Sequence, residues 1–170
     1  MPESNTRNYV VDKGENLYRR SLYTFLKRAA PPPNMEVFNA TAREVCIIKR
    51  ERTNTPLQAL VTLNDTQFVE AARILAEKTL LDPDLVTDNS ARIQSISEKL
   101  IARPLRVEEM QVVQAILSDL HDYYQANSED AMSLLAVGDT RSSDQINPSE
   151  LAAWTMLVNK LMNLDEVLTK

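Results

Sequence analysis

Gly14 and Gly138 are the only glycines in 170 residues. That scarcity constrains the fold more than any other feature. A sheet of many strands joined by tight turns needs residues that adopt positive φ without steric cost, and this chain has almost none. The same scarcity excludes a glycine-rich phosphate loop and a dinucleotide-binding fingerprint. With 44% apolar and 25% charged residues, the chain is long enough to bury a core as one domain, and helix is the economical way to build it. The expectation is an all-α, irregular helical domain of about five to seven helices, with at most one short two-stranded pairing near Val45 to Ile48. Residues 1–14 read as a polar tail and 15–170 as a single helical domain.

Helix boundaries are written as caps. Glu15 to Arg28 places Leu17, Tyr18, Leu22, Phe25 and Leu26 at helical spacing, before Pro31-Pro32-Pro33 stops the helix and implies an extended spacer. Thr41-Ala42-Arg43-Glu44 has the spacing of a capping box. In KRERTNTPLQALVTLN, Thr55-Pro56-Leu57-Gln58 is a second capping box with proline at the first helical position, so a helix begins at Pro56. Its ladder is Leu57, Leu60, Val61 and Leu63, and Asn64-Asp65-Thr66-Gln67 repeats the capping pattern, predicting a break at Asn64. Apolar faces follow through Ile93 to Ile101 and from about Val107 to Ala126, and a short helix ends near Gly138. Asn147-Pro148-Ser149-Glu150 opens the last long helix, and Asn163-Leu164-Asp165-Glu166 predicts another break and a second short helix.

The ligand inventory is narrow. Cys46 and His121 are the only residues of their kinds, which leaves no internal disulfide, no Cys/His metal cluster and no CxxCH for haem. Cys46 lies in the apolar run VCII and reads as a buried, inert thiol. His121 sits between Asp119 and Asp122 without a nucleophile beside it, as an exposed helical histidine would. No catalytic, cofactor or metal site is assigned. No apolar run approaches the ~18 residues of a membrane span, and Met1 to Leu17 lacks the apolar core of a signal peptide.

Charge is unevenly distributed. Residues 1–56 carry ten Lys/Arg against six Asp/Glu, and residues 57–170 carry nine against eighteen. Arg19, Arg20, Arg50 and Arg52 therefore have two readings: a basic patch for an anionic glycan, or side chains that fold back onto the acidic remainder. Glutamates interrupt the run and no nucleic-acid motif is present, so intramolecular pairing is the expectation and nucleic acid is disfavoured as a partner. Asn54 and Thr55, with Arg50 and Arg52, are expected to form a structural staple before the Pro56 helix.

The stretch LYRRSLYTFLKRAAPPPNMEVFNATAREVCIIKRERTNTPLQALVTLNDTQFVEAARILAEK, with ELAAWTMLVNKLMNLDEVLTK, resembles the C-terminal part of the planctomycete domain of unknown function 1553. Leu26 and Thr66 stand where that family often has Trp and Pro. The resemblance implies a larger, extracytoplasmic (periplasmic) parent with companion domains, often including a cytochrome c module, of which this chain would be a C-terminal fragment. Its partners would then be the missing N-terminal portion or those companion domains.

Three function classes stay open. One is a non-catalytic structural or interaction portion of that parent. Another is part of a polysaccharide-related hydrolase or oxidoreductase whose active site lies elsewhere; Glu108-Glu109 and Asp165-Glu166 are poor candidates for it, since helical neighbours diverge. The last is polyanion binding by the basic N-terminal part.

Overall fold

The computed structural model describes residues 12–20, 23, 31–41, 46–49, 51–85 and 88–169. Among them are eight α-helices and no strand: α1 (Pro33–Val37), α2 (Pro56–Asn64), α3 (Thr66–Leu80), α4 (Asn89–Ile101), α5 (Val107–Ala126), α6 (Ser128–Leu135), α7 (Pro148–Met162) and α8 (Asp165–Leu168). The domain is all-α, and its six helices of eight residues or more carry the core.

α7 is the axis of the packing. Leu151, Ala152, Ala153, Trp154, Leu157 and Val158 are all buried, so the helix is apolar around most of its circumference. A helix of that kind must be enclosed. α3, α5 and α6 pack around it, with α2 and α4 at its flanks. Ala72 and Ala76 have no exposed surface and give α3 a thin face, which suits a close approach to α7. The guanidinium of Arg92 lies 5.9 Å from the Trp154 ring centroid, closing the core toward α4.

Local chemistry explains the boundaries. Prolines 33, 56 and 148 each occupy the first turn of a helix, where the missing N–H removes no intrahelical bond. Side chains of Asp65, Asp88 and Asn147 accept hydrogen bonds from the N–H groups of Gln67, Ser90 and Ser149, at 2.9, 2.8 and 2.9 Å. With glycine scarce, Asn39 (φ 55°) and Ala102 (φ 59°) take left-handed positions after α1 and α4.

Several sequence expectations change. Gly14–Tyr18 is a short 3-10 helix and Arg19 is already extended, so the helix expected from Glu15 does not run through Arg19; most of the rest of it lies outside the described residues. Pro33 starts α1 instead of prolonging an extended spacer, because proline's fixed φ suits a helical first position as well as polyproline II. Most of the capping box after Thr41 lies outside the described residues. The break between α2 and α3 falls at Asp65, which is the cap, while Asn64 ends α2 and donates back to the Leu60 carbonyl at 2.8 Å. Cys46 is exposed, with Ile47 and Ile48 beside it 46% and 99% exposed, so the apolar run is not core. It lies in the connection before α2, where no helical face carries it inward.

Candidate functional site

Three side-chain arrangements stand out, and the first grows from the Thr55 cap. Thr55 accepts from the Gln58 N–H at 3.3 Å, and the Gln58 side-chain oxygen accepts from the Thr55 N–H at 2.9 Å. The capping box thus forms as its spacing dictates. Gln58 is 2% exposed, and its amide also donates to the Val37 carbonyl at 3.0 Å and to the Thr53 hydroxyl at 2.8 Å. One amide therefore ties the start of α2 to the end of α1. This turns α2 over: Gln58 and Thr62 face inward, while Leu57 and Leu60 are 54% and 57% exposed. The buried Asn159 of α7 donates to the Thr62 carbonyl at 3.1 Å, serving one of the carbonyls that the end of α2 leaves unpaired.

Before the cap, Asn54 donates to the Asp165 carboxylate at 2.7 Å, joining this loop to α8 across 111 positions. The structure gives that long-range tie to Asn54, not to Arg52. Arg52 is exposed, and among the described residues it makes no hydrogen bond or ion pair; Arg50 lies outside them. Arg19 and Arg20 are also exposed without an ion pair among the described residues. Water solvates a guanidinium well, and an exposed pair would have gained little. Asn163 does not cap α8. Its N–H bonds to the Lys160 carbonyl as the end of α7, and the capping position falls on Leu164.

The second arrangement is centred on α3. Glu70 and Arg73 are 0% and 1% exposed, and neither was marked by cap or charge spacing. Glu70 accepts from the Thr140 N–H at 2.7 Å and from the Tyr18 hydroxyl, drawing the N-terminal segment and the loop after α6 onto α3. Burial pushes the Glu70 carboxyl up, but the bonds from Thr140 and Tyr18 outweigh it and hold the pKa at about 2. Burial, and then the bond to Glu70, push the Tyr18 phenol above its ordinary value. Arg73 donates to the Thr140 carbonyl and lies 3.6 Å from Glu70 and 3.8 Å from Glu77. One sequence signal exists: Arg73 falls on the apolar stripe of Val69, Ala72, Ala76 and Leu80.

The third lies where α5, α7 and α8 meet. Arg103 forks between Glu109 (2.8 and 3.0 Å) and Glu166 (2.7 and 2.9 Å). Hydrogen bonds to those carboxylates, Glu109 first, push the Arg103 pKa up, and the Arg103 bond holds Glu109 at about 2. Beside this clamp is an open cavity of about 520 Å³ with an apolar floor that includes Val112, Ile116, Leu157, Leu161 and Leu164. The acid neighbours diverge: Glu109 meets Arg103 while Glu108 stays exposed, and Asp165 meets Asn54 while Glu166 meets Arg103. His121 borders a separate cavity of mixed lining with Gln114, Leu117, Glu150 and Trp154. Among the described residues no group of three or more His, Cys, Asp or Glu could hold a metal ion, and no helix is long and apolar enough to cross a membrane.

No curated protein and no solved structure matches the chain. One family model matches residues 1–117, from the N-terminal segment into α5, leaving α6, α7 and α8 beyond the matched stretch. That model covers more than half of the sequence, and the chain belongs to the family it describes, PSD1, protein of unknown function (DUF1553).

Proposed function

We propose that residues 15–170 act as a single, non-catalytic interaction portion of a larger extracytoplasmic protein, making contact with companion domains of that parent. One observation carries this reading: the apolar trough between α5, α7 and α8 stays open, while Arg103, Glu109 and Glu166 beside it are tied to one another. Arg103, Glu109 and Glu166 are occupied in a mutual clamp, an arrangement suited to holding a surface in shape. Exposed apolar area rimmed by polar residues is the common signature of a protein contact.

The test has two parts. Purified chain is assayed on a polysaccharide panel, and turnover by the chain would overturn the non-catalytic reading. Cell fractionation with an antibody against residues 15–170 follows the parent protein, and a cytoplasmic location would overturn the compartment.

The exposed Arg19, Arg20 and Arg52 favour a second reading, an anionic glycan partner. It requires retention on heparin that falls steeply with salt. Retention unchanged by Arg19→Ala, Arg20→Ala and Arg52→Ala together would remove it.

A further inference from the structure

We propose that the groove between α5, α7 and α8 docks an amphipathic helix of a partner protein, one carrying Lys or Arg beside its apolar ridge. The proposal rests on reading the chain as an interaction module and names the chemistry of what it holds. Leu157 and Leu161 stand one turn apart on α7, and Leu164, just past the end of that helix, carries the apolar lining on toward α8. Val112, Val113 and Ile116 form the opposite row on α5. Two rows of this kind leave a trough that accepts the i, i+3, i+4 anchors of a third helix. Val112 is 60% exposed and Leu164 41%, so water reaches the trough along its two edges, while Val113, Leu157 and Leu161 form its buried base.

An extended peptide would suit this floor poorly. Its backbone N–H and C=O groups would be buried against helices whose own backbone bonds are already made, and each unpaired group costs free energy. A helix satisfies its backbone internally and offers only side chains. Charge then selects among helices. Glu108, Glu109, Asp165 and Glu166 border the groove, against two cations, Arg103 and Lys160. Arg103 is saturated by Glu109 and Glu166, and Glu108 is exposed without a partner among the described residues. Lys160 is exposed and without an ion pair among the described residues as well. The negative character of the rim therefore comes from its count, four carboxylates against two cations, and that net charge attracts a basic flank and repels an acidic helix or an anionic lipid surface.

The probe is a fluorescently labelled synthetic amphipathic helix of leucine and lysine, titrated by anisotropy onto the full chain beside a leucine/glutamate helix of equal length. The Leu/Lys helix binds and the Leu/Glu helix does not. Val112→Asp adds negative charge but spoils the floor, and it weakens binding by about tenfold or more. Glu108→Lys weakens it several-fold and reduces its salt dependence. Both positions are exposed, so thermal melts stay close to wild type. Met132→Asp, at an exposed apolar position on α6 that does not line the groove, leaves binding unchanged. The groove assignment is overturned if the Leu/Lys helix fails to bind, if Val112→Asp binds it as wild type does, or if anionic vesicles bind in a Val112-dependent way. Peptide binding that survives Val112→Asp but is lost in Met132→Asp removes the groove and leaves the interaction reading standing. Turnover of a polysaccharide by the chain removes that reading itself.

Discussion

Gly138 lies directly against Glu70: a Cβ at position 138 would sit 2.5 Å from the Glu70 Cδ, and Gly138 holds φ at +103°. Both facts exclude a larger residue. The carboxylate needs that approach to reach the Thr140 N–H from a buried position on α3. Gly138→Ala combines a backbone cost of about 1–2 kcal/mol with an overpacking cost of similar size. We expect the variant to lose more than about 2 kcal/mol in urea unfolding. A loss below half that would show that the loop after α6 relaxes freely.

Glu70 also sets a pH dependence. Its carboxyl titrates near 2 in the fold against an ordinary 4.5, so the unfolded chain binds the proton more readily. The stabilisation is fully present above about pH 5 and is lost as pH falls through 4.5 toward 2. Glu70→Gln should flatten this dependence while lowering stability at neutral pH. Urea midpoints at several pH values for both proteins check it, and parallel curves would contradict the assignment. Glu109→Gln in the same background separates the contribution of the Arg103 clamp, which follows the same sign.

The Thr55 cap and the Gln58 bridge should differ in cost. Thr55→Ala removes one cap and should cost about 1 kcal/mol. Gln58→Ala strips partners from the Val37 carbonyl and the Thr55 N–H together, and should cost about 2–3 kcal/mol. Equilibrium unfolding of the two variants gives the ranking directly; equal costs would mean that Gln58 contributes only as a cap.

Arg103 holds α8 through geometry as well as charge. Arg103→Ala should raise amide exchange across Asp165–Leu168 with little effect on the core of α7. Arg103→Lys should not restore protection, because an ammonium's three donors on one atom cannot reproduce the paired bonds that the planar guanidinium gives to each carboxylate. Full protection in the lysine variant would reduce the clamp to a point charge.

Cys46, exposed between α1 and α2, should react with a thiol reagent in the native protein at a rate close to that of the unfolded chain. Modification that waits for denaturant would place the thiol in a protected setting.

Short-range chemistry was legible in the residues alone. Thr55 with Gln58, Asn147 as the cap of α7, and prolines 56 and 148 at first helical positions act within three residues, so they are set by spacing before any packing occurs. Asn147 accepts from the Ser149 N–H without the reciprocal Glu150 bond that its spacing suggested. The limits of α5 followed from its periodicity for the same reason. Tertiary structure decided what depends on distant partners. Of the expected ladder of α2, Leu57 and Leu60 face outward while Val61 and Leu63 are half-buried, because Gln58 reaches the Val37 carbonyl and Asn159 reaches Thr62, 97 positions away. Glu70 is buried because Thr140, 70 positions along, supplies its donor and Gly138 clears the space. The groove exists only because α7 and α5 lie side by side, with the Arg103 clamp holding α8 at their edge. A cap competes only with water for its own backbone, whereas a buried charge or an open trough is settled by which remote surfaces the whole chain brings together.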